Sequence, residues 1–181
     1  MPNIKPSTTE LGAAFTPART AAITRALDTH CGISTEAKRV ASFTYRRQLT
    51  IEWGQCDPAG IVFNSRFFEI FDTSTWQLFD AALGVKPHEL STAFGIMGIP
   101  LVDARANFLK PVRFGDMVDM TSQVSEFRRS SFDVAHRLSV GGELAVEGDE
   151  TRVWAVRSKD DPEKIAGAAI PAGVIAKFGQ A

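Results

Sequence analysis

The stretch NSRFFEIFDTSTWQLFDAALG, residues 64–84, is the only long helical pattern in the central part of this 181-residue chain. When its residues are placed about 100° apart around a helix axis, the apolar side chains gather on one broad face. Asn64 or Ser65 is suited to cap the start of such a helix, and Gly84 stands just past its end. The pattern predicts a helix over residues 64–83 with one buried face. That face carries Phe67, Phe68, Phe71, Thr75, Leu78, Phe79 and Ala82.

Strand patterns lie on both sides of this helix. One begins at Thr44 and ends at the loop GQCDPAG, residues 54–60, and four follow the helix. Their separators carry turn residues and are too short to hold crossover helices, so the strands are predicted to be antiparallel. This order predicts an α+β fold in which one antiparallel sheet packs on the long helix. The four later runs are 101–110, 117–127, 131–140 and 144–157.

The composition is that of an ordinary globular protein, with 44% apolar and 23% charged residues and a net charge of −1. Because the charge is balanced, no global field favours nucleic acid or an anionic membrane as a partner. No stretch approaches the ~20 apolar residues of a membrane span, and the N-terminus lacks a signal-peptide pattern. We expect a protein without nucleic-acid or membrane partners.

Cysteine and histidine usage argues against metals and disulfides. Cys31 and Cys56 have neither metal-ligand spacing nor the density of a disulfide framework, which favours a reducing compartment and a cytoplasmic location. The histidines His30, His88 and His136 are scattered, and His136 lies on an apolar strand face, as a core histidine would. We expect no metal and no bound redox cofactor.

The chain divides into three segments. Residues 1–43 form an N-terminal extension, predicted to be a flexible arm followed by a short helix over residues 17–30. Residues 44–160 form the main domain. Residues 161–181 form a tail with a possible short helix in the sequence PAGVIAKF.

Asp72 is the unexpected residue of the long helix, because it falls near the edge of the apolar face. A buried carboxylate without partners is costly, so Asp72 should have a dedicated donor or ligand. It either pairs with an arginine or caps a loop, or else it accepts a hydrogen bond at the end of a ligand pocket. Trp76, one turn further on, is placed either to wall that pocket or to pack in the core or an interface.

The residues of four segments together resemble the 4-hydroxybenzoyl-CoA thioesterase family of hotdog-fold proteins. The resemblance covers about residues 44–160 in the family's order and is most specific in the Asp-Pro-Ala-Gly loop, residues 57–60. It implies a hotdog fold, in which a sheet wraps around one long helix, assembled as a homodimer or homotetramer with active sites between subunits. The four segments are WGQCDPAGIVFNSRFFEIFD, GIPLVDARANFLKPVRFGD, FRRSSFDVAHRL and DETRVWAV.

The resemblance also implies roles for particular residues. Asp57 would act as nucleophile or general base on the thioester, and the backbone N–H of Asn64 would stabilise the oxyanion. Asp72 would receive a hydroxyl of the acyl group. Further substrate contacts would come from Gly60, Phe63 and Trp76. The phosphates of coenzyme A would be bound by Arg128, Arg129, Ser130 and Ser131. Family members often carry an aromatic residue or histidine where Asn64 stands, which bears on the choice of acyl group.

The leading hypothesis is hydrolysis of an acyl-CoA thioester, with a hydroxybenzoyl-like acyl group and coenzyme A present only as part of the substrate. A second version places the catalytic carboxylate on the helix, at Glu69 or Asp72, although Glu69 lies on the polar arc. A different class is a non-catalytic acyl-CoA-binding module. A hydratase would need a histidine positioned beside an acid, and the histidines here stand in no such motif.

Overall fold

The structure is a computed structural model that describes residues 41–158, 161 and 163–179. The short helix predicted over residues 17–30 lies outside the described residues. No helix in the described part of the chain is long and apolar enough to cross a membrane.

Five strands form a single antiparallel sheet, as predicted, in the order β1-β3-β4-β5-β2. Strand β2 therefore lies at one edge of the sheet and β1 at the other. Short turns connect β3, β4 and β5, which explains why these three strands lie side by side in the sheet in the order in which they follow along the chain. The strands are β1 (Thr44–Thr50), β2 (Leu101–Phe108), β3 (Met117–Phe127), β4 (Ser131–Val140) and β5 (Glu143–Val153).

The long helix α1 (Asn64–Leu83) packs on the inner face of this sheet and confirms the predicted α+β hotdog architecture. Phe63 is its N-cap, with φ −65° and ψ 131°, so Asn64 is the first helical residue rather than the predicted cap. Gly84 ends the helix in the left-handed conformation, with φ 68°, and its N–H donates to the carbonyl of Asp80. The buried face carries Phe67, Ile70, Phe71, Ser74, Thr75, Leu78 and Phe79.

The predicted strand 144–157 is wrong at its end, because β5 stops at Val153. At that point β4 has no further residue to pair with, and Trp154 donates its backbone N–H to Ser130 instead. Residues beyond Trp154 form a separate two-stranded sheet of β6 (Ala155–Arg157) and β7 (Ile165–Gly167). A short helix, α2 (Leu90–Phe94), was not predicted, and a C-terminal helix, α3 (Ala172–Gly179), packs its Phe178 against α1.

A close contact in the core fixes the distance between helix and sheet. Phe71 of α1 stacks on the ring of His136, with ring centroids 4.9 Å apart and planes only 6° from parallel. Gly148, the β5 neighbour of His136, leaves room for Phe71, since a Cβ there would lie 2.4 Å from its Cε2. The helix can therefore lie directly on the strands only because residue 148 has no side chain.

Candidate active site

The Asp-Pro-Ala-Gly loop is a tight turn whose backbone is held on both sides. Asp57 Oδ1 accepts a hydrogen bond from the N–H of Ala59 at 2.8 Å, and the Asp57 carbonyl accepts one from Gly60 at 2.9 Å. Gly60 has φ +74°, a conformation that glycine adopts without strain. The N–H of Val62 donates to Val112, which fixes the loop to the segment after β2. Asp57 is therefore a turn residue with its second carboxylate oxygen left available.

Asp57 and the N-terminus of α1 line the same cavity, which we call the loop cavity and whose volume is about 460 Å³. Asn64 stands at its wall as the first residue of α1, and no described side chain caps that helix. The first N–H groups of a helix have no intrahelical acceptor and carry the positive end of its dipole. A carboxylate and an anion-stabilising donor thus meet in one cavity. Its lining is Asp57, Ile61, Val62, Phe63, Asn64, Phe67, Phe108, Leu109, Lys110, Pro111 and Val112.

The loop cavity is open in the single chain. Trp53, four residues before Asp57, is 61% exposed and packs edge-on against Phe114. Phe63 and Phe108, on the cavity wall, are also about half exposed. Exposed apolar side chains around a cavity are typical of ligand-binding grooves and of protein interaction surfaces.

Asp72 and Trp76 line a different cavity, which we call the helix-flank pocket and whose volume is about 350 Å³. Eight residues separate Asp72 from Asn64, which places Asp72 about 12 Å further along the helix axis. Asp57 and Asp72 of one chain therefore line separate cavities. The pocket is lined by Asp72, Trp76, Met97, Gly98, Ile99, Pro100, Leu101, Arg152, Ala155 and Ile165.

Asp72 pairs with an arginine, one of the two roles left open for it. Arg152 Nη2 donates to Asp72 Oδ1 at 2.6 Å, and the Arg152 side chain is only 2% exposed. The same guanidinium donates through Nε to Glu150 at 2.9 Å and through Nη1 to the carbonyl of Ile99 at 3.2 Å. About half of the Asp72 side chain is exposed, and the residue lines the pocket. The helix carboxylate thus lies at the end of a buried ionic chain that sequence reasoning missed.

Glu150 is the centre of that chain and is almost completely buried. Thr75 Oγ1 donates to its Oε2 at 2.7 Å, and His136 Nε2 lies 3.4 Å from the same oxygen. Burial alone would raise the pKa of Glu150, but the hydrogen bonds from His136 and Arg152 outweigh it and lower the pKa to about 2. Glu150 is therefore an ionised carboxylate inside the core at neutral pH.

His136 is a satisfied core histidine, as predicted. Its Nδ1 lies 2.8 Å from Ser122 Oγ, its Nε2 faces Glu150, and its ring stacks on Phe71. Among the described residues no group of three or more His, Cys, Asp or Glu side chains is arranged to hold a metal ion. Cys56 lies beside Asp57 with its Sγ 3.7 Å from the Glu52 carbonyl.

Arg128 and Arg129 are exposed at the turn between β3 and β4, away from the lining of both cavities. Arg128 is engaged within the chain, where it donates to Glu126 at 3.0 Å, to Asp133 at 2.8 Å and to Ser131 Oγ at 3.2 Å. The Arg129 guanidinium makes no hydrogen bond or ion pair with any described residue, and Ser130 packs near Gly167. The two arginines are therefore not equivalent.

Glu69 is a surface residue of α1. It forms an ion pair with Arg66 at 2.6 Å, and its side chain is 62% exposed. It lines neither the loop cavity nor the helix-flank pocket.

Comparison with known proteins places these features in a family. A model of the thioesterase-like superfamily matches residues 51–178. The 4-hydroxybenzoyl-CoA thioesterase of Pseudomonas sp. (strain CBS-3) is 32% identical over 134 residues, which are 71% of this chain and 92% of that enzyme. The solved structure of 4-hydroxybenzoyl-CoA thioesterase from the same strain has a TM-score of 0.67 at 28% identity, covering 74% of this chain and 98% of that one.

The chain therefore belongs to the thioesterase-like superfamily, and the resemblance to the hotdog-fold 4-hydroxybenzoyl-CoA thioesterase family is confirmed. The predicted class of enzyme, a thioesterase, is confirmed with it. A second solved relative, a gentisyl-coenzyme A thioesterase, has a TM-score of 0.60 at 30% identity and covers 73% of this chain and 98% of its own.

Proposed function

We propose that this protein hydrolyses an aromatic, hydroxylated acyl-CoA thioester to the free acid and coenzyme A. The observation that carries the proposal is the loop cavity, where Asp57 and the N-terminus of α1 line one space. Three kinds of relative are named for their substrates, 4-hydroxybenzoyl-CoA, gentisyl-coenzyme A and 1,4-dihydroxy-2-naphthoyl-CoA, and all three are hydroxylated aromatic thioesters.

In the proposed reaction the thioester carbonyl lies between Asp57 and the start of α1. The Asp57 carboxylate either attacks the carbonyl carbon or takes a proton from a water that attacks it. Negative charge that develops on the carbonyl oxygen is stabilised by the Asn64 N–H and the helix dipole. The carbon–sulfur bond then breaks and coenzyme A leaves as a thiolate that takes up a proton. If Asp57 attacked, water hydrolyses the acyl–Asp57 anhydride, which releases the acid and restores the carboxylate. If water attacked, it has already supplied the oxygen of the acid, and Asp57 passes its proton to the thiolate or to solvent.

Two copies of the chain complete the site in this proposal. Strand β2 is a sheet edge with exposed apolar residues, and its start, Leu101, lines the helix-flank pocket while its end, Phe108, lines the loop cavity. If β2 pairs antiparallel with β2 of a second copy, the start of one strand meets the end of the other. The helix-flank pocket of one subunit then adjoins the loop cavity of its partner, and Asp72 can reach the distal end of an acyl group held at Asp57.

The coenzyme A phosphates are assigned first to Arg129, because its guanidinium has no partner among the described residues. Arg128 is tied to two carboxylates and Ser131, so it acts on the phosphates less directly. Arginine suits this task because its forked donors match phosphate oxygens.

The test of the reaction is thiol release from benzoyl-, 4-hydroxybenzoyl- and straight-chain acyl-CoA. We expect Asp57→Asn to lower kcat at least about 100-fold, the size of a general-base or nucleophile effect. Asp119→Asn is the matched control, since Asp119 is an exposed aspartate that bonds Gln48 on β1, and it should keep full activity. If Asp57→Asn keeps near-normal turnover and Glu69→Gln loses it, the catalytic carboxylate is Glu69 on the helix and not Asp57. If the unaltered protein binds acyl-CoA thioesters but releases no thiol, it is a non-catalytic acyl-CoA-binding module.

The test of the shared site is complementation. When Asp57→Asn and Asp72→Asn chains are mixed and reassembled, a site that takes one residue from each subunit becomes intact in about one quarter of all sites. Activity on 4-hydroxybenzoyl-CoA should rise correspondingly above that of either variant alone. If each site is built from one chain, no mixed dimer contains an intact site and the activity stays at the level of the parents.

A further inference from the structure

We propose that Arg152 is a positioning residue that sets acyl specificity, because it orients Asp72 and fixes the wall of the helix-flank pocket. This inference rests on the proposed function, in which Asp72 receives the acyl hydroxyl. Arg152 belongs to the pocket lining, but its side chain is only 2% exposed, so in this inference it acts through Asp72 and not by binding the acyl group itself.

The guanidinium joins three separate parts of the fold. Nη2 holds Asp72 on α1, Nη1 holds the Ile99 carbonyl in the loop before β2, and Nε holds Glu150 on the same strand as Arg152. Asp72 and Ile99 are both part of the pocket lining. One side chain therefore holds two lining residues, the polar acceptor Asp72 and the backbone of Ile99.

The chain of contacts leaves Asp72 as the carboxylate available to a ligand. Glu150 is enclosed by Arg152, Thr75 and His136, and its side chain is about 1% exposed. Asp72 receives Arg152 on Oδ1, and its Oδ2 accepts no hydrogen bond from any described residue. The bond at Oδ1 restricts rotation of the carboxylate and leaves Oδ2 as the oxygen that can accept a hydrogen bond from a ligand.

The planar fork of arginine is what the arrangement requires. Its donors lie at fixed angles in one plane, so a bond to Glu150 at Nε determines where the two terminal nitrogens point. A lysine would keep the positive charge opposite Glu150 but present a single nitrogen on a flexible stem. Arg152→Lys therefore separates the orienting role from the charge.

The experiment measures kcat/KM for 4-hydroxybenzoyl-CoA and for benzoyl-CoA and compares their ratio among variants. A hydrogen bond to a charged acceptor is worth roughly tenfold to a hundredfold in this ratio. We expect Arg152→Lys to reduce the ratio at least about tenfold while kcat/KM for benzoyl-CoA changes less than about threefold. Arg137→Lys is the matched control, because its ion pair with Glu147 lies on the exposed outer face of the same sheet, and the ratio should not change.

Three outcomes would overturn the inference, and they can be told apart. If Asp72→Asn collapses the ratio but Arg152→Lys does not, Arg152 is not the positioning residue and the proposed role of Asp72 stands. If Asp72→Asn leaves the ratio unchanged, or the unaltered protein shows no preference, the acyl assignment falls along with the inference. If Arg152→Lys lowers both substrates equally, its role is general stability.

If Arg152→Lys fails to fold, a second variant tests the inference in its place. Circular dichroism and thermal unfolding identify such a failure, and the double variant Glu150→Gln, Arg152→Met then replaces the buried pair together, so that no unpaired charge remains from it. The inference expects this folded double variant to lose the ratio as well. A normal ratio in the double variant would overturn it.

Discussion

The free energy of unfolding of this protein should fall in acid because Glu150 is a buried carboxylate. The substitution Glu150→Gln should remove that part of the fall. Its pKa lies at about 2 in the folded chain against an ordinary value of 4.5. A carboxyl whose pKa is lower in the folded state stabilises the fold above the unfolded value, and this contribution is lost as the pH falls from about 4.5 towards 2. At about 1.4 kcal/mol per tenfold change in proton affinity, the full contribution is about 3 kcal/mol.

The measurement is the free energy of unfolding by urea at fixed protein concentration from pH 7 to pH 3, for the unaltered chain and for Glu150→Gln. We expect the unaltered chain to be the more stable at pH 7, and the difference to shrink by about 2 kcal/mol at pH 3. Glu69→Gln is the control, since its exposed ion pair should contribute within about 0.5 kcal/mol at every pH. Two parallel pH profiles for the unaltered chain and Glu150→Gln would refute the reasoning.

Two further predictions concern a core glycine and a surface arginine. Gly148→Ala should lower the free energy of unfolding by about 1–3 kcal/mol, because the new Cβ would lie 2.4 Å from Phe71. Gly173→Ala should not lower it, because a Cβ there meets no atom within 4 Å. Equal thermal stability of the two variants would contradict this prediction. Arg129→Ala should raise KM for CoA thioesters about tenfold, as expected for the loss of about 1.4 kcal/mol of phosphate binding. Arg128→Ala should raise KM less. A larger rise for Arg128→Ala in steady-state kinetics would contradict the assignment.

The main elements were predictable because their signals are local. The 3.6-residue period of residues 64–83, the glycine after it and the short turns between strands do not depend on the rest of the chain. The N-cap was misassigned by one residue because Phe63 takes the extended conformation at the cap without offering a side-chain bond. The break at Trp154 was missed because it depends on a distant partner, the Ser130 carbonyl.

Only the part of the candidate site that is formed by residues close in sequence was predictable. Asp57 and Asn64 are seven residues apart and meet through one turn, which the loop sequence indicates. The separation of Asp72 from Asp57 depends on the length of the helix in space and on which strand forms the sheet edge. The Arg152–Glu150 chain did leave a signal, since alternation along DETRVW places both charged residues on the inner face with Gly148, but a strand pattern alone does not name their partners.

The ionic chain from Asp72 through Arg152 to Glu150 also limits how the acyl preference can change by single substitutions. Replacing Asp72 with an apolar residue, the simplest way to favour an unsubstituted ring, removes a partner from a guanidinium that is already buried. A mutant library aimed at new substrates should therefore vary residues 72, 150 and 152 together. Natural relatives that prefer other acyl groups are expected to have exchanged these three positions as a set.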